Sequence, residues 1–247
     1  AGGALVILGP TVLAAVVIGL GPAHAVVQVG GKEYSVQWGK ENPYTAGRMH
    51  LLVGRTTRKI DDRTVEVDYR AADGTAARGR WHLPADSPDV RFELTFEAAA
   101  EGYWSAGIYP VAGVSPENTR FVQLPPLFQF QRLPSQPCMI TDVITPHAMA
   151  LAEVVLEEEG PPLCLAVTAE PSALPLRWPT ARESVYGFSL LNAEGQVQPS
   201  VFSPVLGFGD SLCKAGEQRT ARFRILAMPG DWTTGLEAVS QKIMNVG

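Results

Sequence analysis

The sequence predicts an all-β protein, built as one large antiparallel β-sandwich with a helix at its C-terminal end. Three observations support this prediction. Apolar and polar residues alternate over many short segments, glycine and proline cluster between those segments, and no strand–helix alternation typical of a parallel sheet is visible. A chain of 247 residues can form one such domain. No repeat of fixed period is visible, which counts against a propeller.

The first 25 residues contain no lysine, arginine, aspartate or glutamate, and the first cation of the chain is Lys32. Ala23-His24-Ala25 matches the small-x-small pattern that signal peptidase recognises. We therefore interpret residues 1–25 as a signal peptide, with an uncleaved membrane anchor as the alternative. Both interpretations place the folded part outside the cytoplasm, in a secreted or periplasmic location.

Residues 26–231 are predicted to form the sandwich, and several of its hairpins are visible in the sequence. Alternating residues in TVEVDYR lead to Asp73-Gly74, a dipeptide typical of a tight turn, after which a second strand returns. Further predicted strands are defined by the same alternation. They form hairpins over 149–170 and 185–202, a pair between 90–96 and 103–111, and a last strand at 218–228.

The C-terminal residues 232–247 predict an amphipathic helix with Thr234 and Glu237 as its capping box. A helix this short is marginal alone, so it either packs on the sandwich or leads into another domain. We favour a linker to a downstream helical domain, because the apolar pattern is still running where the sequence stops. The predicted domain-interface residues are Trp232, Leu236, Val239 and Ile243.

Charge and motifs exclude several functions. A formal net charge of -5 disfavours nucleic acid as a partner, because phosphate binding needs clustered cations. The nucleophile-elbow, zincin and phosphate-loop motifs are absent, so we predict no catalytic residue, metal or cofactor in this chain. His50, His82 and His147 are far apart in sequence, and we interpret them as surface or hydrogen-bonded core residues.

The cysteines give little evidence about the compartment. Cys138, Cys164 and Cys213 are widely spaced and form no C-x-x-C pair. A structural zinc site is therefore disfavoured. One disulfide with one free thiol is compatible with the sequence, and three buried thiols that pack as small apolar side chains are slightly favoured.

Aromatic side chains are the stronger indication of a binding function, because sugar rings stack on flat aromatic groups. A buried tryptophan is also ordinary in a sandwich core. Tyr103 and Trp104 are consecutive in a predicted strand, so at most one of them faces the core. The candidate carbohydrate-binding residues are Trp81, Trp104, Trp178 and Tyr186.

The order of parts resembles the N-terminal β-sandwich of glycoside hydrolases whose catalytic domain is an (α/α) barrel. The resemblance lies in the strand-rich block, in FRILAMPGDW before the helix, and in LPPLFQFQRLP and SPVLGFGDSLCKAGE. It implies a super-sandwich of the galactose-mutarotase-like type over most of 26–247, with the catalytic carboxylates in the barrel and not in this chain.

The function implied by this resemblance is that of a non-catalytic module in a secreted carbohydrate-active enzyme. Such a module packs on the downstream catalytic domain and shapes its active-site rim. Two alternatives remain open from the sequence: a stand-alone extracytoplasmic module for carbohydrate binding or adhesion, and a super-sandwich epimerase or lyase that is active by itself. Fold analogy alone does not choose between them.

Overall fold

The computed structural model describes residues 14–20, 25–29, 32–36, 48–72, 74–111, 113–125, 127–130, 132–138, 140–141, 150–157, 161–174, 185–206 and 209–245. Side chains are described from Leu52 onward, except that of Thr141. Most of the described chain is β-strand.

The strands are numbered in chain order. They are β1 (Ala14–Leu20), β2 (Ala25–Val29), β3 (Lys32–Val36), β4 (Arg48–Leu51), β5 (Val53–Asp61), β6 (Thr64–Arg70), β7 (Ala76–His82), β8 (Val90–Glu97), β9 (Gly102–Tyr109), β10 (Thr119–Leu124), β11 (Phe128–Phe130), β12 (Ile140–Thr141), β13 (Leu151–Leu156), β14 (Leu163–Ala169), β15 (Gly187–Leu191), β16 (Val197–Ser203), β17 (Leu212–Cys213) and β18 (Gln218–Pro229). Short 3-10 turns cover Pro116–Asn118, Pro171–Ala173 and Gly209–Ser211.

Two large antiparallel sheets form the sandwich. The nine-stranded sheet has the order β11-β10-β13-β14-β18-β8-β7-β6-β5. The seven-stranded sheet has the order β12-β15-β16-β9-β1-β4, with β17 also pairing with β9. Strands β2 and β3 form a separate two-stranded ribbon. This architecture confirms the all-β antiparallel sandwich predicted from the alternating pattern.

The core lies between the two large sheets. Phe92 and Phe223 from the nine-stranded sheet belong to the same buried cluster as Ile108 and Phe188 from the seven-stranded sheet, and all four are at most 1% exposed. Full burial of such a side chain contributes roughly 1.5–3 kcal/mol each. The apolar residues of the alternating segments therefore account for the contact between the sheets.

The structure confirms the three predicted hairpins, which are formed by β6 and β7, β13 and β14, and β15 and β16. Strands β6 and β7 pair over their whole length, with Gly74 in the turn at φ +93°, a conformation that glycine adopts at little cost. Strand β13 pairs with β14, and β15 pairs with β16.

The predicted pairing of 90–96 with 103–111 is wrong. Strand β8 lies between β18 and β7 in the nine-stranded sheet, whereas β9 lies between β16 and β1 in the other sheet. The short connection after β8 therefore crosses from one sheet to the other. Alternation shows which face of a strand is buried, and it does not show the strand's partner.

Strand β1 falls inside the segment that the sequence predicted to be removed. It pairs with β9 from Ala14↔Tyr109 to Leu20↔Tyr103, and its other edge pairs with β4. Cleavage after Ala25 would remove this internal strand, and the signal peptide at residues 1–25 stays a prediction. No helix within the described residues is long and apolar enough to span a membrane.

The C-terminal helix, called α1, consists of α-helical residues Trp232–Glu237 followed by a π-helical turn at Ala238–Ile243. Its N-cap is Asp231, whose carboxylate accepts a 2.8 Å hydrogen bond from the amide of Trp232. The predicted capping box at Thr234 and Glu237 is therefore wrong, because the helix begins two residues before Thr234.

Helix α1 packs on the outer face of the nine-stranded sheet. Ala238 and Val239 form a buried cluster with Leu151, Ala166 and Leu226. Leu236 and Ile243 pack partly buried against this cluster. The prediction of an interface with another domain is wrong for Val239, which is fully buried on its own sheet. Trp232, at the start of the helix, is the member of the predicted stripe that stays exposed.

Candidate functional site

Two of the predicted carbohydrate-binding residues are structural. Trp104 is buried in the core, and its Nε1 donates a 2.9 Å hydrogen bond to the carbonyl of Ala100. Tyr186 is 1% exposed, donates to the carbonyl of Arg222 at 2.8 Å and accepts from the amide of Glu170 at 3.2 Å. Neither ring has a free face for a sugar, so the prediction is wrong for both residues.

Trp81 has a structural environment as well. Its ring stacks on Phe92 with centroids 4.1 Å apart, and its Nε1 donates a 2.8 Å hydrogen bond to the hydroxyl of Tyr69. Burial raises the pKa of Tyr69 to about 12, so this hydroxyl stays protonated in ordinary buffers. Trp178 lies outside the described residues, and the four predicted carbohydrate-binding residues therefore form no site within the described chain.

The described histidines and cysteines have structural environments. Nδ1 of His82 lies 3.0 Å from the hydroxyl of Thr64, His147 is outside the described residues, and only the backbone of His50 is described. Cys164 and Cys213 are buried free thiols, and Cys138 is a partly buried free thiol. Within the described chain no cluster of three or more metal-ligating side chains is present.

An exposed group of aromatic rings lies where α1 begins. We call it the aromatic surface, and it consists of Phe121, Phe130 and Trp232. The rings of Phe121 and Trp232 are stacked, with centroids 5.2 Å apart and an interplanar angle of 15°. Phe130 lies 6.0 Å from Phe121 in a tilted arrangement. Phe130 is 59% exposed and Trp232 is 36% exposed, and clustered exposed aromatic rings are typical of interaction sites.

Three different elements position these rings. Strand β10 carries Phe121, and the edge strand β11 ends at Phe130. The Asp231 cap fixes the first residue of α1, which is Trp232. Phe130 has φ +61°, a left-handed conformation that is unfavourable for a bulky residue. Backbone outliers of this kind are concentrated at functional sites.

Charged groups border the aromatic surface. A guanidinium nitrogen of Arg120 lies 3.5 Å from the carboxylate of Asp231, and another lies 3.9 Å from that of Glu157. These ion pairs are partly exposed, and such pairs typically contribute about 0–1 kcal/mol. Their importance is that they place hydrogen-bonding groups of both signs beside the exposed rings.

A buried carboxyl group lies beneath α1, next to the aromatic surface. Glu153 is opposite Gln123 in the β10–β13 pairing, and it is fully buried. Its Oε1 accepts a 2.9 Å hydrogen bond from Nε2 of Gln123, which also approaches the carbonyl of Trp232 at 3.5 Å. Oε2 has no hydrogen-bond partner among the described residues. Burial raises the pKa of Glu153 to about 8, so the carboxyl group is mainly protonated at neutral pH.

Gly235 allows α1 to approach this carboxyl group closely. A Cβ atom at Gly235 would lie 1.9 Å from Oε2 of Glu153 and 2.7 Å from Sγ of Cys164. Any larger residue would therefore displace the helix or the side chains beneath it. Because Trp232 begins the same helix, the position of the aromatic surface depends on the packing at Gly235.

Sequence analysis did not single out Phe121, Phe130, Gln123 or Glu153. Glu153 does carry a signal, since it interrupts the apolar run MALAEVVL of a strand that is buried on both faces. Phe130 lies within LPPLFQFQRLP, a stretch used for the family resemblance. Its exposure depends on backbone conformation, which residue type does not reveal.

Comparison with known proteins gives structural likeness without sequence similarity. No protein-family model matches the chain, and no curated protein matches it. The chain is similar in structure to a GH36 α-galactosidase, a variant of AgaA from Geobacillus stearothermophilus in complex with stachyose. The TM-score is 0.44 and the identity 10%, over 90% of this chain and 32% of the other.

A second α-galactosidase of that group, AgaB from the same organism, matches with a TM-score of 0.42 and 10% identity, over 85% of this chain and 30% of the other. A galactose mutarotase-like protein from Lactobacillus casei matches with a TM-score of 0.41 and 10% identity, over 87% of this chain and 85% of the other. The chain therefore spans about a third of the two α-galactosidases. The mutarotase-like match agrees with the galactose-mutarotase-like sandwich that the sequence resemblance implies.

Proposed function

We propose that this chain is a non-catalytic β-sandwich module of a larger carbohydrate-active enzyme, and that its aromatic surface packs against a following domain of that enzyme. The sequence resemblance implies that this larger enzyme is a secreted glycoside hydrolase with an (α/α) barrel as its catalytic domain. The observation that supports an interaction function is the aromatic surface itself, at the start of α1, with one ring 59% exposed. Aromatic residues surrounded by polar groups are enriched at such interfaces.

The test uses the natural protein in which this chain is followed by its own downstream sequence. Phe130→Ser should lower the melting temperature of that protein and its activity on glycosides, while leaving the isolated 247-residue chain unchanged. Ile60→Ser is the matched control, because Ile60 is an exposed apolar residue on the distant edge strand β5. An unchanged melting temperature for the Phe130→Ser variant of the longer protein would contradict the proposal.

The non-catalytic part of the proposal has its own measurement. The isolated chain should show no turnover on a panel of oligosaccharides and aryl glycosides. Turnover that is lost when one of its own carboxylates or histidines is replaced would overturn this part, and would favour the epimerase or lyase alternative.

A carbohydrate-binding module is the second candidate function, and the partly exposed indole of Trp232 beside Arg120 and Asp231 favours it. In that case soluble polysaccharides should retard the isolated chain in affinity electrophoresis. Trp232→Ala should remove the retardation and Ile60→Ser should not.

An extracytoplasmic location is part of the proposal, as the N-terminal sequence predicts. Cell fractionation followed by N-terminal sequencing tests it. Recovery of the protein from the cytoplasm would contradict this location. Recovery outside the cytoplasm with residues 14–20 retained would agree with β1 as a strand of the sheet.

A further inference from the structure

Helix α1 lies directly over the carboxyl group of Glu153. We propose that α1 acts as a proton-dependent latch: it stays docked on the nine-stranded sheet while Glu153 is protonated, and it is released when Glu153 loses its proton. The proposal concerns the fold of this chain, and it holds whether or not the aromatic surface contacts another domain.

The geometry around Oε2 of Glu153 carries the inference. This oxygen is buried without a partner among the described residues, and the backbone of Gly235 lies directly over it. A protonated carboxyl group tolerates such a place far better than a carboxylate, because a buried charge without sufficient hydrogen bonds is strongly unfavourable. Water can reach the oxygen if the cover above it leaves.

The groups that face Glu153 also oppose its ionisation. Burial is the main reason for its raised pKa, and the negative charge of Asp231 raises it further. Gln123 from β10 opposes this increase by hydrogen bonding to the carboxyl group, and the nearby thiol of Cys164 from β14 also lowers the pKa of Glu153. Among the described residues no lysine or arginine forms an ion pair with Glu153, and Arg120 is paired with Asp231 and Glu157.

Release of α1 is the smallest movement that exposes Glu153. The element has six α-helical residues and six in the π-helical turn, and its buried contacts with the sheet centre on Ala238 and Val239. Strand β13, which carries Glu153, pairs on both edges inside the sheet. Opening the helix therefore disrupts fewer contacts than opening the sheet.

Release would also change the aromatic surface. Trp232 is the first residue of α1 and stacks on Phe121 of β10. When the helix leaves, the ring of Trp232 separates from the other two rings. The protonation state of a buried residue then controls an exposed surface.

Hydrogen exchange of the intact chain, measured by mass spectrometry between about pH 5 and 9, tests the proposal. After correction for the intrinsic exchange rate, protection of α1 should fall about tenfold per pH unit between the ordinary carboxyl pKa and the raised one, and then level off. Strands β13 and β14 should remain far more strongly protected than α1 over the same range. Glu153→Gln should keep α1 protected at every pH, because the amide cannot ionise.

Glu157→Gln is the matched control, since Glu157 is an exposed acid directly after β13, and it should keep the wild-type profile. Three results would overturn the proposal: pH-independent protection of α1 in the wild type, loss of α1 and the sheet together, or an unchanged profile in Glu153→Gln. If Glu153→Gln does not fold, Glu153→Leu replaces it. If neither variant folds, the wild-type profile is the test: a fall in α1 protection with rising pH supports the proposal, and pH-independent protection overturns it.

Discussion

Arg224 illustrates how a single buried charge is made compatible with this core. Its guanidinium group donates to the carboxylate of Asp89 at 2.8 Å, and to both oxygens of Glu170 at 2.7 and 3.0 Å. Asp89 also accepts a hydrogen bond from Ser87. Burial alone would raise the pKa of Glu170, but the hydrogen bonds and charge of Arg224 lower it overall. Arg224 is the cation that both carboxylates share, and Asp89 also lies 4.0 Å from the guanidinium group of Arg91.

Replacing Arg224 by Ala should therefore destabilise the protein by about 3–5 kcal/mol, because two carboxylates would lose their buried partner. Arg222→Ala is the matched control on the same strand, since Arg222 forms an exposed ion pair with Glu93 and should cost at most about 1 kcal/mol. Urea denaturation at pH 7 measures both values. Equal losses for the two variants would show that burial of the Arg224 cluster has no energetic importance.

The carboxyl groups of Glu170 and Glu153 contribute to stability with opposite pH dependences. The pKa of Glu170 is lowered in the fold, so its contribution to stability is present above the ordinary carboxyl pKa and is lost as the pH falls through the lowered value. The pKa of Glu153 is raised from 4.5 to about 8, so its contribution is present below pH 4.5 and is lost as the pH rises towards 8.

The free energy of unfolding should therefore decrease between about pH 5 and 8, with a slope of at most about 1.4 kcal/mol per pH unit from this one group. Denaturant titrations of the wild type and Glu153→Gln at several pH values measure it. Glu153→Gln should lack the decrease, and an identical slope in both proteins would contradict the assignment of the raised pKa to Glu153.

At the scale of the element, α1 reverses the usual rule for glycine in helices. Replacing a helical glycine by alanine normally stabilises a helix by about 0.8–1.0 kcal/mol. Gly235→Ala should instead destabilise α1, because the new methyl group would clash with Oε2 of Glu153. Thr233→Ala, at an exposed position of the same helix, is the control and should be neutral or slightly stabilising.

Hydrogen exchange of α1 and the global melting temperature distinguish the two variants. Gly235→Ala should reduce protection of the helix more than it reduces the melting temperature, because the cover moves while the sheet stays paired. Increased protection in Gly235→Ala would mean that the helix does not approach the sheet as closely as described.

At the scale of the whole molecule, we expect strand β1 to contribute strongly to the stability of the sandwich. A variant that begins at Val26 lacks β1, and β9 then loses its partner over seven residue pairs, Ala14↔Tyr109 to Leu20↔Tyr103. We expect this variant to be much less stable than the intact chain, and a variant that begins at Thr11 to behave like the intact chain. Circular dichroism melting compares the three, and equal stability of the Val26 variant would show that β1 is dispensable.

The features predicted correctly from the sequence are those fixed by neighbouring residues. The alternation and the turn at Gly74 specify the β6–β7 hairpin within a single stretch of chain. The same alternation in β8 and β9 could not reveal that these strands belong to different sheets, because partner choice depends on packing between distant residues. The apolar run at residues 14–20 forms an internal strand here, and its composition also fits a signal segment, so the sequence alone does not distinguish the two.

The sequence predicted that aromatic residues form a binding site, and this stays a prediction. Trp104 and Tyr186 are buried in the core, whereas exposed rings occur at Phe130 and Trp232. Residue type indicates what a side chain can do. Its exposure depends on the tertiary structure, as the left-handed backbone at Phe130 illustrates.

The position of β18 has a consequence for the order in which this protein can be built on the ribosome. Strands β5 to β8 form one block of the nine-stranded sheet, and β10, β11, β13 and β14 form the other. Strand β18 lies between β8 and β14. Until residue 229, the end of β18, has been synthesised, each block has an open edge where β18 belongs. Open edges of this kind pair readily with other chains. The nascent protein is therefore most exposed to aggregation just before β18 emerges and joins the two blocks.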